Sequence, residues 1–304
     1  MSIKAKELTK YYGDQKALDG ISFEVKPGEI VGFIGPNGAG KTTAMKILTG
    51  YIMPNYGEAW INGRNALEQT LEIRKDIGYL PEHNPLYTQM FVKEYLKYVS
   101  GLYRLGNKTR ERIHEVIDLT GLDKEKTKKI GTLSKGYRQR VGLAQAIIHD
   151  PGVLILDEPT TGLDPNQITE IRNLISRLGK EKTVLLSTHI MQEVEAICDR
   201  IIVINNGRIV ADDKVGNISS WLKENKQTVQ VEFDREVEEG TLAQIEGVNK
   251  VQKIDSKNWL LESSDKEDIR QRIFDFAVQS GFSVLSMQKK EKSLEQVFRD
   301  LTRE

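Results

Sequence analysis

Residues 35–43, GPNGAGKTT, match the pattern G-x-x-x-x-G-K-S/T of a phosphate-binding loop. A strand-like segment precedes the stretch and a helical segment, KTTAMKILTG, follows it, which is the context that the pattern requires. The glycines let the backbone curl around phosphate groups, Lys41 can reach the outer phosphates, and the Thr42 hydroxyl can bind Mg²⁺. An ordinary glycine-rich turn is the alternative. The stretch predicts a nucleotide site made by Gly35, Pro36, Asn37, Gly38, Ala39, Gly40, Lys41, Thr42 and Thr43.

Two adjacent carboxylates follow a second apolar segment. In VLILDEP, residues 153–159, consecutive aliphatic residues predict a strand buried on both faces, and Asp157 ends it. A carboxylate there can hold Mg²⁺ through water, as in other P-loop NTPases, and Glu158 can polarise an attacking water. The alternative is a solvated strand end. Beside a phosphate-binding loop, the pair favours nucleotide hydrolysis.

The stretch LSKGYRQR, residues 133–140, also has the features of an anion site. Ser134, Lys135 and Gly136 precede a helical run, and the first turn of a helix presents unpaired backbone N–H groups to an anion. The chain therefore contains two candidate anion sites that are far apart in sequence.

The segments around these motifs alternate between strands and helices, which indicates a mainly parallel sheet with an antiparallel edge. TVLLSTH is predicted to be another buried strand, and IIVINNGRIV a hairpin that turns at Asn206 and Gly207. GEAWING, at 57–63, carries the same Asn-Gly turn signal. Residues 88–130 have a charged helical pattern, and Asp164 with Pro165 begins a later helix. An α/β domain is therefore predicted for this part of the chain.

The pattern changes around SSWLKENK, residues 219–226. Beyond it, the strand-like segments are TVQVEF, VNKVQKI, NWLLES and FSVLSM, with a short helix at TLAQI. A second helix begins at a capping box of Ser264 and Glu267 and ends before Gly281, and SLEQVFRDLT is a final amphipathic helix. The order β-α-β-β-α-β predicts a small ferredoxin-like domain.

Composition limits the possible classes of protein. The chain has 304 residues, with 44 Lys and Arg against 44 Asp and Glu, and a single cysteine, Cys198. A net charge of zero gives no global field that would attract nucleic acid, and one cysteine excludes an internal disulfide and a cysteine-rich zinc site. The start, MSIKAKELTK, is unlike a signal peptide, and no apolar run approaches 18 residues. We expect a cytosolic protein that does not span a membrane by itself and in which Cys198 is buried.

Four stretches, GPNGAGKTT, LSKGYRQR, VLILDEPTTGLDP and LLSTH, resemble the Walker A, signature, Walker B with D-loop, and switch-histidine elements of ATP-binding cassette (ABC) ATPases. They occur in that family's order, and the resemblance covers about residues 1–215. It implies an α/β P-loop NTPase fold, with a nucleotide-binding domain over residues 1–218 that includes a helical subdomain at about 83–145. Residues 219–304 would form the accessory α+β domain. ATP is the implied substrate and Mg²⁺ the implied cofactor.

The resemblance also explains the second anion site. In ABC ATPases two subunits pair head to tail, and the signature of one covers the γ-phosphate held by the Walker A loop of the other. The positive end of the signature helix would face that polyanion. The resemblance therefore implies a dimer that encloses two ATP molecules, and a second copy of this chain is the expected partner. The residues implied to contact the partner's ATP are Ser134, Lys135, Gly136 and Tyr137.

Further positions match single residues of the family. Tyr12 corresponds to the aromatic residue that stacks on adenine, with Tyr11 as the alternative, and Asp164 to the D-loop aspartate that communicates across the dimer. Three residues depart from the family pattern: Glu82 replaces a glutamine, and Lys135 and Tyr137 replace the commoner Gly and Gln. The implied catalytic residues are Glu158 and His189, and the implied metal-site residues are Thr42, Asp157 and Glu82.

The signature, YLPEHNPLY and the ending SLEQVFRDLT resemble the ATPases of ABC-2 type exporters, and within them the gliding-motility-associated subunit. This implies a separate membrane permease, docked near Glu82 and residues 88–130, and a peripheral location at the inner face of the cell membrane. Aromatic residues of NPLYTQMF are candidates for that contact, although in such a stretch the core is the expected place for them. The alternatives are a soluble ATPase switch acting on ribosomes or DNA, and a C-terminal domain that binds a ligand or holds the dimer.

Overall fold

The computed structural model describes residues 2–217, 227–263 and 268–290. The chain divides into two compact units, residues 1–215 and 216–304. The predicted boundary after residue 218 lies close to this division. Within the described ranges, none of the helices combines the length and the apolar character needed to cross a membrane.

The first unit contains ten strands and seven helices among its described residues. In chain order they are β1 (Ile3–Tyr12), β2 (Gln15–Val25), β3 (Ile30–Ile34), α1 (Lys41–Leu48), β4 (Tyr56–Ile61), β5 (Arg64–Asn65), α2 (Thr70–Asp76), β6 (Ile77–Leu80), α3 (Val92–Leu102), α4 (Thr109–Leu119), α5 (Lys135–Ile147), β7 (Val153–Asp157), α6 (Pro165–Gly179), β8 (Thr183–Thr188), α7 (Met191–Ile197), β9 (Arg200–Asn205) and β10 (Arg208–Lys214).

A six-stranded sheet in the order β10-β9-β3-β8-β7-β6 forms the centre of this unit. Neighbouring strands are parallel except β10, which pairs antiparallel with β9 at the edge, as predicted. All residues of β3, β7 and β8 are buried, which explains their nearly continuous aliphatic sequences. Because parallel strands end at the same edge of a sheet, the segments after β3, β7 and β8 lie side by side there.

A second sheet, in the order β2-β1-β4-β5, is antiparallel. Its hairpin β4-β5 turns at Asn62 and Gly63, as predicted, whereas strand β1 was not predicted from the sequence. Strand β1 buries Ile3, Ala5 and Leu8, so the alternation shifts by one residue after Ala5. The shift coincides with register irregularities in both of its pairings and with a positive φ of 51° at Glu7. A bulged strand does not keep the strict alternation by which strands are recognised.

Residues 83–145 contain α3, α4 and most of α5, in agreement with the predicted helical character of 88–130. Helices α3 and α4 bury Leu96, Val99, Ile113 and Val116. Helix α5 begins at the LSKGYRQR stretch and buries Val141, Leu143 and Ala144.

His149, just after α5, joins this helical region to strand β6. Its Nε2 lies 3.0 Å from the carbonyl oxygen of Ile77, and its ring stacks on Tyr103 with a centroid distance of 3.8 Å. The other ring nitrogen, Nδ1, is buried and has no hydrogen-bond partner in the described ranges. The pKa of His149 is lowered to about 4, chiefly by burial and also by nearby Lys182 and Arg112, while the hydrogen bond to Ile77 and the charge of Asp150 oppose this effect.

We expect His149 to make folding less favourable in acid. Below pH 6.5, the ordinary histidine value, the unfolded chain binds a proton that the folded chain accepts only near pH 4. The free energy of unfolding should therefore fall as the pH decreases through this window, by up to about 3 kcal/mol. His149→Phe keeps an aromatic ring against Tyr103 and should flatten the pH dependence of urea unfolding between these limits. His114→Phe, at an exposed histidine of α4, is the matched control and should keep the wild-type slope.

The second unit has the element order β-α-β-β-α-β over its described residues. The elements are β11 (Gln227–Phe233), α8 (Glu239–Leu242), β12 (Val248–Lys253), β13 (Asn258–Ser263), α9 (Arg270–Gln279) and β14 (Val284–Lys290). They form an antiparallel sheet in the order β12-β13-β11-β14, with a core around Trp259, Phe233 and Leu261. The short helix begins two residues before the predicted TLAQI. Helix α9 begins at Arg270 with Ile269 as its N-cap, so the prediction that it starts at a capping box of Ser264 and Glu267 is wrong. Ser264 and Glu267 themselves, the segment 219–226 and the final helix lie outside the described residues.

Candidate functional site

The loop after β3 curls tightly because two of its glycines leave no room for a side chain. At Gly40, φ is 111°, and an added Cβ would lie 2.5 Å from the carbonyl oxygen of Ala17. At Gly35, an added Cβ would lie 2.3 Å from the carbonyl oxygen of Ile204. Neither distance is possible for a real side chain, so the loop keeps this shape only with glycine at both positions.

Lys41, the first residue of α1, lies buried at the centre of the loop, with 6% of its surface exposed. Its Nζ donates hydrogen bonds to the carbonyl oxygens of Gly35 and Pro36, at 2.8 and 3.2 Å. The same nitrogen lies 3.3 Å from Oε1 of Glu158. The loop lysine and the carboxylate after β7 are therefore an ion pair, although far apart in sequence.

Glu158 is 7% exposed and has a positive φ of 49°, so the chain turns sharply where β7 ends. Its backbone N–H donates to Oγ of Ser187 at 2.9 Å. Its Oε2 accepts a hydrogen bond from the Thr161 hydroxyl at 2.9 Å and lies 2.9 Å from Nδ1 of His189. Three side chains thus hold the carboxylate at the edge of the sheet, and His189 is partly exposed beside it.

Asp157 is fully buried one residue earlier. Its Oδ1 accepts hydrogen bonds from the hydroxyls of Ser187 and Thr42, at 2.6 and 3.2 Å, while Oδ2 is buried with no partner in the part of the chain that is described. Burial raises the pKa of Asp157, and the two hydroxyls oppose this effect. An orphaned carboxylate oxygen in a buried place requires an additional partner.

The donor set fits Mg²⁺. Thr42 and Glu82 line a cleft, and the Thr42 hydroxyl donates a hydrogen bond to Asp157. Among the described residues there is no cluster of three metal-binding side chains. Mg²⁺ is usually bound by one or two carboxylates together with substrate phosphates, and Asp157 and Glu82 can supply such carboxylates.

The cleft at this edge of the sheet has a volume of about 310 Å³, which suits a chain of phosphate groups. The sequence identified all of its lining residues except Thr161, which lies one turn after Glu158 in a stretch that was read only as the connection to Asp164. The described residues that line the cleft are Asn37, Gly38, Gly40, Lys41, Thr42, Glu82, Glu158, Thr161 and His189.

The signature residues do not line this cleft. Ser134 is the N-cap of α5, and its Oγ accepts a hydrogen bond from the backbone N–H of Tyr137 at 3.4 Å. Ser134 and Lys135 are exposed, and the first turn contains no acidic residue. Gly136 is buried against Gln167, whose amide oxygen would lie 2.4 Å from an added Cβ. The signature thus presents at the surface a capped helix N-terminus whose positive end has no acidic side chain in its first turn.

The D-loop is adjacent to the signature. Asp164 caps α6, because its Oδ1 accepts a hydrogen bond from the backbone N–H of Gln167 at 3.0 Å. Since Gln167 also packs on Gly136, the starts of α5 and α6 lie side by side. The side chain of Lys135 lies directly over Gly162 of the D-loop.

Tyr11 and Tyr12 both lie at the end of β1 and are 37% and 50% exposed. Lys10 lies over the ring of Tyr12, and Lys16 over that of Tyr11, each with Nζ 5.6 Å from the ring centroid. Tyr12 is the more accessible of the two, and its stacking on adenine stays a prediction.

A larger groove of about 570 Å³ begins on the other side of Glu82. Its walls include Arg74, Tyr79, His83 and Tyr103, and it shares Thr42, Glu82 and Asp157 with the predicted metal site. Glu82 thus links the nucleotide cleft to an open groove. The phenolic oxygen of Tyr79 is buried, and burial raises its pKa.

The aromatic residues of NPLYTQMF are exposed, so the expectation that they lie in the core is wrong. Tyr87 and Phe91 of NPLYTQMF are 55% and 45% exposed, whereas the core was the expected place for them. Tyr87 packs edge-on against Tyr95 and Tyr98, and Tyr98 is also exposed. Cys198, by contrast, is buried as expected, and its burial raises the pKa of the thiol.

Comparison with known sequences agrees with these motifs. The family described as ABC transporter (ABC_tran) matches residues 18–161. The bacitracin transport ATP-binding protein BcrA of Bacillus licheniformis is 41% identical over 212 residues, 69% of this chain and 69% of that protein. YxlF of Bacillus subtilis, an uncharacterised ABC transporter ATP-binding protein, is 33% identical over 297 residues, 97% of this chain and 98% of that protein. The Nod factor export ATP-binding protein I of Burkholderia orbicola is 38% identical over 216 residues, 69% of this chain and 70% of that protein.

Solved structures give the same result. The dimeric structure of MJ0796, a bacterial ABC transporter cassette, matches with a TM-score of 0.65 and 29% identity, over 70% of this chain and 98% of that chain. A dimeric post-hydrolysis state of the same cassette, bound to ADP and Pi, matches with a TM-score of 0.65 and 28% identity over the same shares. The chain therefore belongs to the ATP-binding subunits of ABC transporters and is an ATPase of that family.

Proposed function

We propose that this chain powers an ABC-2 type exporter as one of two ATPase subunits bound to a separate membrane permease. Among its relatives, the one from Burkholderia orbicola is described as a Nod factor export protein and BcrA as a bacitracin transport protein. The observation that supports the proposal best is the position of Glu82, which lines both the nucleotide cleft and the open groove. A permease segment in that groove would touch the residue that also faces the metal site.

Each group of residues in the cleft has its own role in ATP hydrolysis. The loop Gly35–Thr43 holds the phosphates, with Lys41 turning from its carbonyl partners and Glu158 toward the β- and γ-phosphates. Glu158 then accepts a proton from the attacking water, and His189 contacts the γ-phosphate. Thr42, Asp157 and Glu82 would hold Mg²⁺, which neutralises the charge that develops on the phosphates.

The signature acts on a second subunit in this proposal. Ser134, Lys135, Gly136 and Tyr137 lie at an exposed helix N-terminus outside the chain's own cleft, where they can reach only another molecule's ATP. The dimeric cassette MJ0796 supports such an arrangement. Asp164 and Lys135, which lie at the adjacent starts of α6 and α5, would meet the partner at the same interface.

The permease would place the subunit at the inner face of the cell membrane. The groove between Arg74 and Tyr103, together with exposed Tyr87 and Phe91, offers charged and aromatic contacts for it. We propose a ferredoxin-like fold for the C-terminal unit, since its strand order β12-β13-β11-β14 follows from two β-α-β units. A role in gliding motility stays a prediction from the sequence resemblance. A soluble switch on ribosomes or DNA is the alternative function.

Copurification distinguishes the two functions. Tagged Glu158→Gln protein is expressed in the native cell, and its membranes are extracted in mild detergent with ATP and Mg²⁺. We expect a multi-spanning permease to copurify, because the variant binds ATP without hydrolysing it and so keeps the dimer of ATPase subunits closed. Lys41→Ala, which should not form that dimer, is the control for contacts that do not depend on ATP. Ribosomal or DNA-binding proteins in place of a permease would contradict the exporter and support the switch.

A further inference from the structure

Thr161 holds the carboxylate of Glu158 from within the same turn of chain. Its hydroxyl donates to Oε2 of Glu158 at 2.9 Å, and its backbone N–H donates to the carbonyl oxygen of Glu158 at 3.3 Å. The positive φ of 49° at Glu158 and the close spacing of the two residues bring this hydroxyl to the wall of the cleft. A hydrogen bond to a charged acceptor is short and strong, and it fixes direction as well as distance.

The other two partners of the carboxylate are groups that the nucleotide requires. Lys41 contacts Oε1 and His189 contacts Oε2, but under the proposed function both turn toward phosphate oxygens when ATP binds. The Thr161 hydroxyl donates to Glu158 and is not assigned to the phosphates, so it can keep this contact when ATP binds. We infer that Thr161 is a positioning residue for hydrolysis: its hydroxyl keeps the Glu158 carboxylate aimed at the attacking water after Lys41 and His189 have moved to the nucleotide. This inference rests on the proposed role of Glu158 as the base.

The neighbouring threonine provides a matched control. Thr160 is 2% exposed, and its Oγ1 is buried without a hydrogen-bond partner among the residues that the structure describes. Replacing Thr160 by Val therefore removes a hydroxyl of the same kind, one residue away, without breaking a hydrogen bond. Any difference in kcat between Thr161→Val and Thr160→Val therefore measures the effect of the contact between Thr161 and Glu158.

The test compares steady-state ATP hydrolysis by Thr161→Val, Thr161→Ser, Thr160→Val and Glu158→Gln in the full chain. We expect Thr161→Val to lower kcat roughly tenfold with little change in KM, because it acts on the carboxylate and not on the bound nucleotide. Thr161→Ser restores the donor and should keep most of the wild-type kcat, as should Thr160→Val.

Each other result overturns the inference in a recognisable way. If Thr161→Val hydrolyses ATP at the wild-type rate while Glu158→Gln is inactive, the inference is wrong and the proposed function stands. If Thr161→Ser loses as much activity as Thr161→Val, or if Thr161→Val raises KM and leaves kcat unchanged, the hydroxyl does not position the carboxylate. If Glu158→Gln itself has the wild-type rate, Glu158 is not the base, and the inference is lost with that assignment.

Discussion

Glu158→Gln is expected to lower kcat for ATP hydrolysis by roughly 10²- to 10⁴-fold, the usual contribution of a general base. Gln has the same shape as Glu and keeps an oxygen that can accept the hydrogen bond from Thr161. It cannot accept a proton from water, so the reaction is blocked after ATP has bound. The variant also lacks the charge that pairs with Lys41, which frees the lysine for the phosphates. ATP binding should therefore be retained or strengthened.

A dimer that depends on ATP should accumulate in the same variant. Two signature helices and two phosphate loops can enclose ATP, and without hydrolysis nothing reopens them. Phosphate release and light scattering, with and without ATP and Mg²⁺, measure both effects on one sample. Glu170→Gln is the control, because Glu170 is exposed on α6 and pairs with Arg140 outside the cleft. A normal rate of phosphate release by Glu158→Gln would show that another group activates the water.

The sequence predicted most of the site because its motifs are local. Lys41 follows a glycine-rich loop within a few residues, and Asp157 and Glu158 follow an aliphatic strand directly. Such patterns specify a strand end and a turn without knowledge of the neighbours. The contact between Lys41 and Glu158, in contrast, depends on β8 lying between β3 and β7, and hydrophobic periodicity carries no information about strand order.

The features that the sequence did not predict depend on contacts between residues far apart in the chain or on unusual backbone conformations. Strand β1 is irregular where Gly57 of the neighbouring strand approaches the carbonyl oxygen of Glu7, at which an added Cβ would lie only 2.4 Å away. Tyr87 and Phe91 are exposed, although their residue types favour the core. Thr161 was overlooked because a threonine in a loop gives no sign of its partner. Its contact arises from the unusual backbone of Glu158, which the residue type does not predict.

Lys41→Ala is expected to weaken ATP binding by roughly 100-fold, since charge-assisted hydrogen bonds contribute about 1.5–3 kcal/mol. Titration with a fluorescent ATP analogue measures the change in Kd. Lys46→Ala is the matched control: Lys46 lies on the same helix but lines the groove instead of the cleft. If Lys41→Ala bound ATP as the wild type does, the loop would not be the phosphate site.

The same variant should also be less stable without nucleotide. Lys41 and Glu158 are both buried, and removing one member of a buried ion pair leaves the other charge without its partner. Thr161 and His189 still contact the carboxylate, so we expect the free energy of unfolding to fall by about 1–3 kcal/mol. A double-mutant cycle isolates this contact, because Lys41→Ala should destabilise the Glu158→Gln protein much less than the wild type. Equal losses in both backgrounds would mean that the lysine stabilises the loop through Gly35 and Pro36 alone.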